Sequence, residues 1–262
     1  MNGPVIRLSV ALVILLVAVP LAIVLLASVS GGERLTFPPE SLSLNPYRAL
    51  IGNGEIRAAL GRSLTVGLQV VVLSLIAGVP AAIALVRFRF RFRFPLGLYM
   101  ILGVATPLIA SAFAFLALFT WTGSLGSLWP ISVGITVVNL PFLMFSVASS
   151  LISLDPRLEE AAATLGAEKV QTFLFVTLPG IMPGILSGTL MVFVLGISEF
   201  VISLLLYTIN IQTLPIAMFA SLRGPPPPEV AAAAGLYVLA AVLVVVTLTS
   251  LKSTEQFFYR ND

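Results

Sequence analysis

The chain has 262 residues, of which 58% are hydrophobic and only 10% charged, where a soluble domain uses about 25% charged residues to cover its surface. It has no cysteine and no histidine, which excludes disulfides, thiolate metal sites and cysteine nucleophiles and removes the commonest general base and metal ligand. The net charge of +3 sits in clusters between long apolar runs, the pattern of a polytopic membrane protein rather than of a nucleic-acid binder. No GxxxxGK[ST] loop occurs, so the chain does not by itself cradle and hydrolyse ATP in the usual way.

In chain order, the first apolar run covers about residues 8–29 behind Arg7. A secretory signal peptide has a similar outline. The length of this run, Pro20 within it and the lack of a small-residue cleavage site favour an uncleaved first span. The polar segment from Ser30 to Arg62 contains FPP and SLNPYRAL, which predict turns and a short surface helix. Further spans are expected at about 63–86, 95–120, 131–151, 180–207 and 230–251, with a distinct segment at 152–179. Six spans of about 20 residues suit the length.

Between the second and third spans the sequence reads RFRFRFRF, Arg87 to Phe94. Strict alternation suits a half-buried strand or a basic-aromatic nucleic-acid patch. In a helix, steps of 100° scatter it around the axis, whereas an extended connector separates the arginines from the phenylalanines. Joining two spans, such a connector lets Arg reach lipid phosphates while Phe enters the interface. It therefore reads as an orientation signal. Arg7, the arginines at 87–93, Arg157, Lys169, Lys252 and Arg260 fall on one side. Arg34, Arg48, Arg57, Arg62 and Arg223 fall on the other, mostly in one long loop. The excess places both termini in the cytoplasm.

The segment SLDPRLEEAAATLGAEKVQTFLFVTLP, between the fourth and fifth spans, is the most informative. Asp155 or Pro156 can start a helix, the alanine run favours one, and Gly166 permits a turn. A second helix runs into Pro179, a natural boundary for the next span. Glu160-Ala161-Ala162 is followed by three residues and Gly166, then by nine residues and Val176-Thr177-Leu178-Pro179. This resembles the EAA loop of ABC importer permeases, with Val176 in place of the family's isoleucine. An amphipathic helix on the bilayer surface is the alternative, and it would not require the spacing.

The resemblance extends along the chain, through FPPESLSLNPYRAL, VNLPFLMFSVASSL, ISEFVISLLLYTINIQTLPIAMFASLRG and PEVAAAA. It is strongest to the second permease subunit of polyamine importers. Two features depart from that type: Ser198-Glu199 where paired acids are usual, and the Pro225 to Pro228 run. The resemblance implies an all-α, six-helix permease of the type I ABC importer fold with a cytoplasmic coupling helix, in the bacterial inner membrane. It implies coupling to an ATPase groove through Glu159, Glu160, Ala161, Ala162, Gly166, Leu178 and Pro179. The implied partners are a second permease subunit, two ATPase subunits holding ATP and Mg, and an extracytoplasmic binding protein. This chain would then bind no cofactor or metal and catalyse no covalent step. The substrate implied is a polyamine or similar small cationic amine, with a sugar, 2-aminoethylphosphonate or ferric ion as alternatives. A channel or secondary carrier is the rival class, but it leaves the spaced EAA segment unexplained.

Glu199 is an ionisable residue within an expected span, which normally faces a cavity, a partner or a pathway. It could attract a cation, or it could structure a loop or an interface. Asn139 and Ser198 are pathway candidates on weaker grounds, with bonding to neighbouring helices as the alternative. Residues 211–222 read as a surface or re-entrant helix, which by resemblance lies near the docking site of a binding protein. The prolines after it stiffen the approach to the last span, and Glu229 suits that helix's N-terminus.

Overall fold

The structure is a computed structural model that describes residues 3–32, 35–209, 211–224 and 226–259. Arg34 and Arg260, Pro225 and the side chain of Lys252 lie outside the described residues. Among the described residues the regular structure is helical, apart from one isolated bridge between Ser30 and Leu42. Four helices are long and apolar enough to cross a membrane. A bent pair adds a fifth if taken as one span, and a shorter apolar stretch covers Pro228–Leu243.

The chain divides into two compact units. The first combines residues 1–60 with 214–243. It holds α1 (Pro4–Ser28), α2 (Asn45–Gly52), the start of α3 (Gly54–Arg87), α11 (Leu214–Ser221) and most of the apolar part of α12 (Pro228–Tyr259). Its core gathers Leu50, Leu214, Ala232 and Ala233, with Tyr47 and Leu236 against them. The Tyr47 hydroxyl donates to Ser28 Oγ at 2.8 Å, and a side chain on Gly235 would collide with both. The apolar side chains along α1 are exposed, as suits a helix whose solvent is lipid or another membrane helix.

The second unit is built around α6 (Leu128–Ser153), where Ile131, Ile135, Leu143, Met144 and Val147 are fully buried. Against it lies α9 (Leu178–Ser198). Gly180, Gly184 and Gly188 recur every four residues along α9, and a Cβ on each would strike Leu154, which closes α6, and Ser150 and Leu143 within it, respectively. Small residues at helical spacing let two membrane helices approach closely, and dispersion and hydrogen bonds then hold them where lipid gives no hydrophobic drive.

Several expected spans take other forms. The second lies inside α3, whose 34 residues make about 51 Å of helix against a hydrocarbon core of about 30 Å. The third is two helices, α4 (Arg93–Ala105) and α5 (Leu108–Trp121), bent by 111° at Thr106-Pro107. Thr106 is extended, with ψ 130°, the conformation that a residue before proline favours. The fifth begins further back, in α8 (Lys169–Thr172), and passes through a π turn (Phe173–Thr177) into α9. At its far end α9 stops at Ser198, Glu199 is extended, and a short α10 (Val201–Leu206) follows.

Only Phe88 to Phe92 of the RFRFRFRF run is non-helical, since Arg87 closes α3 and Arg93 opens α4. The arginines also divide their tasks, rather than lining one side. Arg93 Nε donates to the Leu85 carbonyl at 3.2 Å, and the Arg91 guanidinium lies 5.6 Å from the Phe92 ring centre. Arg87 turns towards the segment that follows α6.

Candidate functional site

That segment folds into α7 (Pro156–Thr164), a helix closed at both ends. At its start Asp155 Oδ1 accepts from the Arg157 amide at 3.0 Å, and Pro156 fills a position that needs no N–H donor. At its end Gly166 takes φ +88°. The Gly166 amide donates to Ala163 O and the Ala167 amide to Ala162 O, each at 3.0 Å. This pair of bonds is a Schellman closure, so the spacing from the EAA to the glycine is the second half of the helix plus its cap. Immediately beyond, Glu168 and Gln171 form a reciprocal capping box that opens α8.

The π turn has a local cause. Pro179 has no N–H to return to the carbonyl four residues earlier, and the Leu178 amide reaches back five residues to Phe173 O. Such widened turns recur at functional positions. Here the turn carries Thr177, whose Oγ1 donates to Glu159 Oε1 at 2.7 Å. The same oxygen accepts from Arg87 Nη2 at 3.0 Å, with the two side chains 25% and 26% exposed. One carboxylate thus ties the end of α3, the middle of α7 and the turn leading into α9. At that exposure the ion pair contributes about 1 kcal/mol or less, so its value is in geometry more than in stability. A cavity of about 320 Å³ beside it is lined by Ile83, Phe88, Ala163, Lys169 and Phe173, among others.

The remaining expected coupling residues take distinct places. Glu160 and Ala161 are exposed and Ala162 is half-buried on α7. Leu178 packs on the core of the second unit. Pro179 borders a cavity of about 700 Å³ with Ser149, Ser150, Ser153 and Leu158. The segment also exposes apolar side chains, Leu165 at 89% and Phe175 at 77%.

The three pathway candidates are not joined by hydrogen bonds. Asn139 is buried within α6. Ser198 Oγ donates to its own helix, at Val194 O, 2.7 Å away. Glu199 stands at the break between α9 and α10 and caps α10. Its Oε1 accepts from the Ile202 amide at 2.8 Å, and its Oε2 from the Ser203 amide at 3.0 Å and the Ser203 hydroxyl at 3.2 Å. Among the described residues no cluster of three or more acidic side chains is placed to hold a metal ion.

Sequence reasoning missed Arg87 and Thr177 as members of the site. Arg87 was visible only as part of a charge run, and Thr177 occupies the variable position of the VTLP element. It also missed the glycines of α9, although their spacing of four was legible, and the half-buried contact of Ser132 Oγ donating to Gln69 Oε1 at 2.6 Å.

Comparison with known proteins places this geometry. Residues 70–253 match the family model described as binding-protein-dependent transport system inner membrane component. The putrescine transport system permease protein PotI of Escherichia coli (strain K12) is 32% identical, over 85% of this chain and 83% of PotI. The spermidine/putrescine transport system permease protein PotC of Haemophilus influenzae is 28% identical, over 76% of this chain and 77% of PotC. The fold is similar to that of a solved bacterial ABC transporter involved in import of the acidic polysaccharide alginate. The TM-score is 0.64 and the identity 18%, with 97% of this chain and 98% of the other covered. The chain belongs to the family of binding-protein-dependent transport system inner membrane components, the permease subunits of ABC importers.

Proposed function

We propose that the chain forms half of the translocation pathway of an ATP-driven importer of putrescine or a similar small cationic amine. The observation that carries the coupling role is α7 itself. It is closed at both ends, is tethered inward by Glu159, and presents Glu160 and Leu165 outward. A rigid short helix of that kind can transmit a push from a soluble subunit to the helices on either side of it. Similarity to PotI and PotC supports the amine as substrate.

In this reading α7 and both termini face the cytoplasm, and the connector at 87–94 anchors that side. A second permease subunit completes the pathway, and two ATPase subunits hold ATP and Mg. An extracytoplasmic binding protein delivers the substrate. ATP binding closes the ATPase pair and moves α7, which turns the pathway outward, and hydrolysis resets it. Glu160, Ala161 and Ala162 meet the ATPase groove, Gly166 ends the inserted helix, and Leu178 and Pro179 pass its motion into α9. Asn139, a buried polar group of α6, is one pathway candidate. Ser198 and Glu199 shape its outer end, with Glu199 acting as a cap.

The test is copurification and uptake. An ATPase subunit should copurify with the intact protein, and labelled putrescine should enter vesicles that contain the complete transporter. If no ATPase copurifies, and substitutions at Glu160 or Gly166 leave uptake unchanged, the proposal fails.

A further inference from the structure

Two features of the Arg87–Glu159–Thr177 contact go beyond what a simple brace requires. Arg87 Nε is buried and has no hydrogen-bond partner. Glu159 makes both of its bonds through Oε1. An arginine and a carboxylate at full strength meet through two parallel N–H···O bonds, and here one prong of the fork is unused. An unpaired buried donor is costly to keep, so a conformation that engaged it would be favoured at this position. The neighbouring cavity leaves room for such a shift.

We infer that Arg87, Glu159 and Thr177 are positioning residues that form a latch with two positions. In this conformation the latch is single-pronged and shared with Thr177. In the opposite end state of the transport cycle, movement of α7 brings Glu159 Oε2 onto Arg87 Nε and makes the pair bidentate. Because Arg87 ends α3 and Thr177 leads into α9, one displacement of α7 is felt by two membrane helices at once. The inference rests on the reading of the chain as a permease driven by an ATPase.

The discriminating variant is Arg87→Lys. An ammonium keeps the charge and one contact but cannot make the second prong, so lysine suffices for a static brace and fails for a latch. The measurement uses the complete transporter in proteoliposomes and reads putrescine taken up per ATP hydrolysed. Arg87→Ala, Glu159→Ala and Arg87→Lys are each expected to lower that ratio by about fivefold or more, the lower end of ordinary coupling between sites. The exchange Arg87→Glu with Glu159→Arg should recover most of it. A wild-type ratio in Arg87→Lys overturns the latch, with the alanine variants then reporting a brace only.

Suppose instead that the wild-type transporter hydrolyses ATP but takes up no putrescine. The substrate assignment then fails, and the latch is judged by hydrogen exchange of the α7 amides. Nucleotide-dependent protection that is present in wild type and lost in Arg87→Lys supports it, and equal protection in both overturns it. If no ATPase copurifies, the functional reading and the latch fall together.

Discussion

Ser146 Oγ donates to the carbonyl oxygen of Gly184 at 2.9 Å, a side chain of α6 bonding the backbone of α9. A Cβ on Gly184 would lie 2.6 Å from the Ser146 carbonyl oxygen and would also strike Ser150. Backbone on the facing helix cannot rotate away as a side-chain tip can. Gly184→Ala is therefore expected to destabilise the protein by about 1–3 kcal/mol, the usual cost of overpacking, and Gly184→Val by more. Thermal melting in detergent reads this directly. An unchanged melting temperature in Gly184→Val would show that α6 and α9 do not pack this closely.

Gly166 is demanded by its backbone rather than by its surroundings, since φ is +88° and nothing lies near the place of its missing Cβ. Replacement by alanine should cost about 1–2 kcal/mol, felt in the last turn of α7 and not across the protein. Asparagine, which tolerates this region, should fall between glycine and alanine. Uptake should rank in the order glycine, asparagine, alanine, valine, with little change in melting temperature. A flat series would remove the Schellman closure from the coupling mechanism.

For Glu199 the three bonds to Ile202 and Ser203 make a capping role the expectation. Glu199→Ala should lower stability by about 0.5–2 kcal/mol, the range for loss of a helix cap, and Glu199→Gln by less. Neither should change KM for putrescine in the transporter that remains folded. A rise of about tenfold in KM for Glu199→Gln, with stability intact, would instead give the carboxylate a direct part in attracting the cation.

The lack of cysteine allows orientation to be read from single introduced thiols. A cysteine at Arg89 should react with a membrane-impermeant maleimide in inverted vesicles and not in right-side-out ones. One at Trp121, at the other end of the α4–α5 pair, should do the reverse. The opposite labelling would turn α7 to the outside and end the coupling proposal.

What the sequence revealed was spacing within one segment. From Asp155 to Pro179 each signal was local: a cap, an alanine run, a glycine at a fixed distance, a proline. The bends were less legible. Pro20, Pro80, Pro141 and Pro183 lie inside continuous helices, whereas Pro107 separates two. Nothing in the surrounding residues distinguishes Pro107, because the outcome depends on what packs on each side: α4 lies against α6, while α5 lies against both α6 and α10. At Glu199 the sequence left two roles open, a pathway charge and a residue that structures a break, and the structure gives it the first-turn amides of α10 as partners. Arg87 and Glu159 stand 72 positions apart, and no local pattern links two such residues.

The π turn at Phe173–Thr177 has a consequence for how this region tolerates change in length. A turn that closes over five residues holds one residue more than an α-helical turn while carrying the chain through about the same angle, so the extra residue is absorbed locally and the helices on either side keep their orientation. Removing one residue within the turn would let it relax to ordinary α-helix and leave α8, with α7 attached, at nearly its present rotation about the axis of α9. Removing one residue from the α-helical part of α9 instead would turn everything before it by about 100°, and Thr177 and Glu159 would leave their place against the end of α3. The widened turn is thus a slack link, the one point between the membrane helix and its loop where a residue can be lost without turning the loop away.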